Sequence, residues 1–158
     1  MGSTPAMSVG MIPPRYDIVK QHPCTVSVMA AGGSETSAMW KSQLSDEEFS
    51  LALIEAIKNS RTFSQIIKGA GADYALHITI FSVGQPSFGT SFTVKMEVGW
   101  TLKRRDGNAA VWQESIKSEH PSAVIDAFAA ATRLRLATEG AARNNIAEGL
   151  VRISKLNL

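Results

Sequence analysis

The chain has little of what usually reveals a protein's chemistry or its compartment. Its 158 residues include one cysteine, Cys24, so no intramolecular disulfide can form. No apolar run reaches the roughly 20 residues that a membrane-spanning helix needs. Aromatic residues make up 7% of the chain and charged residues 19%, and the formal net charge is +2. This length and composition fit one globular domain with a single core.

Basic residues are scattered, apart from the short run Lys103-Arg104-Arg105. Nucleic-acid binding needs a concentrated basic surface, because its affinity comes largely from neutralising phosphates. A polybasic membrane patch likewise needs a denser cluster than this one. We therefore expect no nucleic-acid partner and no electrostatic attachment to a membrane.

Catalytic and cofactor-binding motifs are missing too. There is no G-x-S-x-G nucleophile turn, and the glycine-rich segment 69–72 leads into a predicted strand, where a phosphate loop would lead into a helix. His22 and Cys24 offer two ligands, whereas a zinc site uses three or four. We predict no enzyme activity, no catalytic residue, no cofactor and no metal site. A hydrolase site assembled from residues distant in sequence stays open as an alternative.

The first 24 residues favour irregular structure. The sequence begins Met1-Gly2-Ser3, which is typical of a remnant left by an expression tag, and it lacks the charged and apolar regions of a signal peptide. Four prolines punctuate the segment, at Pro5, Pro13, Pro14 and Pro23. We expect residues 1–24 to be a flexible leader or linker, with the natural start removed, and residues 25–158 to form the domain.

From residue 25 onward the sequence predicts an α+β domain. Ser45 and Glu48 form a capping box that begins a helix over 45–60, and a helical period after Pro121 predicts a second helix from about 122 to about 153. Asp106-Gly107 predicts a hairpin turn. Alternating apolar and polar residues predict five strands, over 25–31, 63–67, 73–81, 91–105 and 109–119. The order β-α-β-β-β-β-α favours a mostly antiparallel sheet of about five strands with two helices on one face.

Several segments together resemble a known group of proteins. The first strand ends in the loop Gly32-Gly33, and the amphipathic helix that follows ends in AIKNSRTFSQII. Next come the strand GADYALHITI and a hairpin that carries Trp112 in AAVWQESI. The last helix contains EGAARNNIAEGLVRIS. In this order the chain, over about residues 24–155, is similar to small bacterial cell-envelope lipoproteins of uncharacterised function. Their periplasmic domains resemble the N-terminal domain of the Tol-system protein TolB. Activators of peptidoglycan synthases and the lipoprotein of the curli secretion channel are related envelope proteins.

The resemblance implies a periplasmic domain that a lipidated N-terminal cysteine tethers to the outer membrane. This sequence departs from the pattern because it contains no lipobox, and no apolar segment precedes Cys24. We therefore expect membrane contact only through an anchor that the natural N-terminus carried. The implied role is a non-catalytic module that binds or assembles other envelope proteins, or associates with itself. A small-ligand or glycan-binding domain with a cleft between helix and sheet is the alternative.

The stretch EGAARNNIAEGL, residues 139–150, carries the candidate site. At about 100° per residue, one face of the helix is apolar, and it contains Val124, Ile125, Phe128, Thr132, Ile146, Leu150 and Ile153. Asn144 and Asn145 lie away from this face and are predicted to be solvent-exposed. Arg135, Glu139 and Arg143, four residues apart, interrupt it. Three interpretations stay open: a partly buried ion ladder that stabilises the fold, a bend near Gly140, or a partner- or ligand-binding site.

Two aromatic residues lie in predicted loops. Phe88 belongs to the loop QPSFGT between two strands, and Trp40 follows the Gly-Gly pair after the first strand. An exposed aromatic side chain at a loop tip is a typical contact for a partner protein or a membrane. We therefore regard Phe88 and Trp40 as candidate exposed contacts.

Overall fold

The computed structural model describes residues 10–31, 45–84, 93–107, 109–121 and 130–158. Within these ranges it has seven elements in the predicted order. They are β1 (His22–Ala31), α1 (Asp46–Ser60), β2 (Phe63–Ile66), β3 (Tyr74–Gly84), β4 (Thr93–Arg104), β5 (Ala110–Pro121) and α2 (Ala130–Ser154). The α+β fold with five strands and two helices is therefore confirmed.

The sheet is mixed, and its strands follow the order β2-β1-β3-β4-β5. The antiparallel prediction holds for β3–β4 and β4–β5, whereas β1 pairs in parallel with both β2 and β3. The difference arises from the connections. Helix α1 is the crossover connection between the parallel strands β1 and β2. In the resulting register, Val26 of β1 pairs with Ile66 of β2 on one side and with Tyr74 of β3 on the other. The segment 67–73 thus crosses β1 before β3 begins.

Helix α1 begins as its sequence predicts. The Ser45 Oγ accepts a hydrogen bond from the Glu48 backbone N–H at 3.0 Å, and the Glu48 carboxylate accepts one from the Ser45 N–H at 3.3 Å. This reciprocal pair satisfies two backbone donors at the helix start. The buried side of the helix is the predicted apolar stripe, Phe49, Ala52, Leu53, Ala56 and Ile57.

The core lies between the two helices and one face of the sheet. Alternate β4 side chains are buried, and Trp100 and Leu102 have no exposed surface. The opposite face of the sheet has no helix packed against it within the described residues. Large apolar side chains remain there at Phe81, which is 55% exposed, and Met29, which is 56% exposed.

Residues 10–21 pack against this core, although we expected residues 1–24 to form a flexible leader. Met11 is completely buried. The Val19 N–H donates a hydrogen bond to the Ser154 Oγ at 3.0 Å, and Lys20 donates to the Asn157 side chain at 2.9 Å. The first strand also begins three residues earlier than predicted, at His22 rather than at residue 25. The segment is therefore fastened to the C-terminal end of the chain.

Candidate functional site

Helix α2 carries the polar stretch 139–150 and runs unbroken through Gly140. Its contact with the sheet is made largely by small residues. The buried positions include Ala137, Thr138, Ala141, Ala142, Ile146, Gly149, Leu150 and Ile153. Ile146, Leu150 and Ile153 are three of the residues that the apolar periodicity predicts. Ala141, which lies outside the predicted apolar set, also has no exposed surface.

Asn145 is the polar centre of this contact. Its side-chain oxygen accepts a hydrogen bond from the Trp100 indole N–H at 2.8 Å. Its amide nitrogen donates to the Ile116 carbonyl at 2.9 Å and to the Ser118 hydroxyl at 3.1 Å. The prediction that Asn145 faces solvent is wrong, because these partners on β4 and β5 satisfy a side chain with no exposed surface.

The neighbouring Asn144 behaves as predicted and is exposed. Its amide donates one hydrogen bond, to the Glu119 carbonyl at 2.9 Å. The two asparagines differ because consecutive helix residues point about 100° apart. Sequence periodicity alone cannot show that a polar residue beside an apolar stripe meets buried polar partners on a sheet.

Two glycines let α2 approach the sheet closely. A Cβ atom at Gly149 would overlap the Trp100 indole, and one at Gly140 would overlap the His120 imidazole. Trp100 is completely buried, whereas His120 is partly exposed. The glycines therefore provide space for two rings, and Gly140 does not mark a break in the helix.

Glu139 is almost completely buried, with 6% of its surface exposed. The Arg135 guanidinium donates to its carboxylate at 2.9 Å, and 47% of the arginine side chain stays exposed. Burial raises the pKa of Glu139, while Arg135 and Arg143 oppose the rise and Glu48 of helix α1 adds to it. The environment thus disfavours the charged carboxylate despite its ion pair.

The described hydrogen bonds of Arg143 do not include one to Glu139, which the predicted ion ladder would require. Its guanidinium donates to the Gly10 carbonyl at 2.9 Å. Gly10 also lies against the Glu139 carboxyl group, close enough that a Cβ atom at position 10 would overlap it. Arg135, Glu139 and Arg143 therefore lie together, as an ion pair and an arginine that hold the segment beginning at Gly10 against α2.

The candidate contacts Phe88 and Trp40 lie outside the described residues. The exposed apolar side chains that the structure does place on the sheet, Phe81 and Met29, were missed because both lie in strands of alternating character. The Phe81 ring covers Gly99 of the neighbouring strand, and a Cβ atom there would meet the ring at 2.7 Å. A bulky residue on the polar side of a strand, two positions after the residue that pairs with a glycine, is the signal that could have identified Phe81.

Within the described ranges, no group of three or more His, Cys, Asp or Glu side chains is placed to hold a metal ion. In the same part of the chain, no helix combines the length and apolarity that crossing a bilayer requires.

Sequence comparisons identify no family, since no family model and no curated protein match the chain. Similarity is found among solved structures. A Xanthomonas campestris protein assigned to family DUF330 is 12% identical, with a TM-score of 0.67 and 89% of each chain covered. The PelC dodecamer from Paraburkholderia phytofirmans is 10% identical, with a TM-score of 0.57, 90% of this chain and 94% of that chain covered.

An uncharacterised lipoprotein B from Nitrosomonas europaea is 13% identical, with a TM-score of 0.56, 89% of this chain and 88% of that chain covered. At such low identity these matches establish a shared fold. The chain therefore has an α+β fold that also occurs in bacterial lipoproteins.

Proposed function

We propose that this chain is a non-catalytic binding and assembly domain of a bacterial envelope lipoprotein. The full-length protein would stand on the periplasmic side of the outer membrane, held by lipid on a cysteine of its natural N-terminal segment. Support comes from the fold shared with the Nitrosomonas europaea lipoprotein. The segment 10–21 packs along the domain, so the described part of the chain is held against the core from residue 10 onward.

The observation that carries the assembly role is the face of the sheet against which no helix of the described residues packs. Phe81 and Met29 are each more than half exposed there, and Val111 is 38% exposed. Thr79 and Gln113 are exposed polar neighbours on the same face. Aromatic and methionine side chains are enriched in protein interfaces, where polar groups surround them. Such a face is suited to another protein surface.

We assign this face to a second copy of the chain. PelC, which has a similar fold, is described as a dodecamer, so domains with this fold can associate with copies of themselves. Here the sheet supplies a broad surface in which the Phe81 ring lies against Gly99 and is still 55% exposed. Self-association would bury the apolar groups that the two helices leave open.

Sedimentation velocity over a range of concentrations tests this assignment. Phe81→Ser should shift association to higher concentration, because it removes the largest exposed apolar group on the face. Thr79→Lys should act in the same direction while leaving Phe81 on Gly99, since it places a charge in the interface. Leu51→Ser is the matched control, because Leu51 is 42% exposed on helix α1, away from the open face. Equal association of all four proteins would refute the assignment.

The anchor is tested separately with the full-length gene product expressed in a bacterium. Incorporation of a palmitate analogue, lost when the expected anchor cysteine is replaced by serine, would support the lipoprotein assignment. Cys24→Ser should leave incorporation unchanged, because no apolar segment precedes Cys24. Absence of label from the unaltered protein would contradict the anchor and would leave the test of self-association unaffected.

A further inference from the structure

Four charged side chains form a square on the sheet face that no described helix covers. Across strands β4 and β5, Lys95 pairs with Glu119 and Glu97 pairs with Lys117. Directly paired residues share one face of a sheet, and so do residues two apart along a strand. Met96, between the two β4 members, is buried in the core, so the four side chains lie on the opposite face. We call these four residues the charge square.

The charges of the square are not neutralised by pairing within one chain. No member forms an ion pair with another charged side chain of the described residues. Glu97 accepts a hydrogen bond from the Ser115 hydroxyl, and the other three members are exposed. A hollow of about 490 Å³ is lined by the square together with residues that include Ser82 and Gly84 of β3. The square therefore has room for charged groups from another molecule.

Alternating signs make the square complementary to a second copy of itself. Unlike charges occupy neighbouring corners both across the two strands and along each strand. When two copies face each other about a two-fold axis that crosses the strands, Lys95 of each copy faces Glu97 of the other. Lys117 of each copy likewise faces Glu119 of the other. Packed sheets lie about 10 Å apart, so these long side chains can meet between them.

The position of Phe81 selects this axis over a two-fold axis that runs along the strands. An axis across the strands at the centre of the square places Gly99 of one copy opposite Thr93 of the other. Because the Phe81 ring covers Gly99, the ring then stays within the contact. An axis between β4 and β5 along the strands would instead place β3 beyond the edge strand β5 of the other copy. Phe81 would then lie outside the contact and remain exposed.

We propose that two copies of the chain pair face to face through the charge square, about a two-fold axis that crosses the strands at its centre. This inference rests on the proposed self-association and specifies its symmetry and its contacts. The ion pairs would fix the orientation of the two copies, since complementary charges contribute mainly specificity. Burial of the Phe81 rings would provide apolar stabilisation.

Two double variants with the same composition and the same net charge of +2 test the pairing. Lys95→Glu, Glu97→Lys gives each cross-strand row one sign, so the proposed axis still brings unlike charges together. Lys95→Glu, Glu119→Lys gives each strand one sign, so the same axis brings like charges together. In sedimentation velocity the first variant should associate as the parent does, and the second at least about tenfold more weakly. The reverse order, or equal association of all three proteins, would overturn the proposal.

Salt dependence provides a second measurement that does not need the first variant. That variant places like charges directly opposite each other within the chain, so it is the less stable of the two, as thermal unfolding would show. Raising the salt concentration from about 0.05 to about 0.5 M screens exposed charges. Association of the parent should therefore weaken, whereas association of Lys95→Glu, Glu119→Lys should strengthen. The same salt trend in both proteins would overturn pairing through the square.

The outcome for the parent protein separates this inference from the proposed function. A parent that stays a single chain at every concentration would refute self-association itself, and the pairing with it. A parent that associates without regard to the charge pattern would refute only the pairing through the charge square.

Discussion

Asn145 shows how one buried amide can determine where a helix sits on a sheet. Its three hydrogen bonds reach an indole on β4 and two oxygens on β5. Removing one partner of a buried hydrogen bond costs more than the bond itself contributes, because the remaining groups stay desolvated. The position of helix α2 on the sheet therefore depends on a residue whose sequence pattern predicts a place on the surface.

We expect Asn145→Ala to lower the free energy of unfolding by about 2–3 kcal/mol, since the Trp100 N–H and the Ile116 carbonyl lose their partner. Urea denaturation monitored by tryptophan fluorescence measures the change. Asn144→Ala removes the same group from the exposed neighbouring position and should cost less than about 1 kcal/mol. Similar losses in the two variants would show that Asn145 has no special role.

Glu139 is expected to make stability depend on pH in a defined direction. Because burial raises its pKa in the folded protein, the folded state binds this proton more tightly than the unfolded state. The contribution of Glu139 to the free energy of unfolding is therefore greatest below the pKa that the group has in the unfolded chain. It decreases as the pH rises through the higher pKa that the group has in the folded protein. Arg135 and Arg143 on α2 and Glu48 on α1 are the charged groups that influence it.

Glu139→Gln should consequently keep or increase the stability measured at neutral pH, because the amide avoids burying a charge. Thermal unfolding of both proteins between about pH 4 and pH 7 measures this, and their difference should shrink towards acid. The alternative view, in which the ion pair is a net source of stability, requires the variant to lose more than about 1 kcal/mol at neutral pH. That result would contradict a net cost of burying the charged carboxylate.

At the scale of elements, α2 shows what periodicity can and cannot predict. The large apolar residues Ile146, Leu150 and Ile153 identify the buried side correctly. The remaining contact is made by alanine, glycine and asparagine, whose low hydrophobicity hides their position. Helix α1 is predicted in full, because a capping box specifies its start and an apolar stripe that includes Phe49, Leu53 and Ile57 specifies its buried side.

Gly149→Ala tests the close approach of α2 to the sheet. Helix propensity alone would favour alanine by about 1 kcal/mol. The added methyl group would overlap the buried Trp100 ring, so we expect a net loss of about 1–3 kcal/mol. Gly140→Ala is the comparison, because its neighbour His120 is partly exposed and can move. Equal stabilisation by both substitutions would mean that the packing is loose.

The segment 10–21 is a second element whose role depends on tertiary contacts. Proline and glycine suggested a linker, but Met11 is completely buried. Met11→Ala should therefore destabilise the domain by about 2 kcal/mol or more, as other buried methionines do. Chemical denaturation measures the loss, and Val19→Ala, at a position that is 62% exposed, serves as control. A segment that contributes nothing to folding would leave both variants as stable as the parent.

For the whole molecule, the sequence predicts the number, order and type of the elements, because alternation, capping and the Asp106-Gly107 turn are local signals. It does not predict that β1 lies between β2 and β3, since strand order depends on contacts between segments far apart in the chain. The sheet face that no described helix covers has a different origin, because it follows from both helices packing on the other face, as the sequence predicts. That face is the basis of the proposed self-association.

Self-association through the open sheet face can be measured as the molar mass of the unaltered protein, by light scattering as its concentration is raised. We predict a mass that increases above the 17.0 kDa of one chain and approaches a defined multiple of it, because copies associate through the face that carries Phe81. A mass that stays at 17.0 kDa over the whole concentration range would contradict the proposal that this domain assembles with itself.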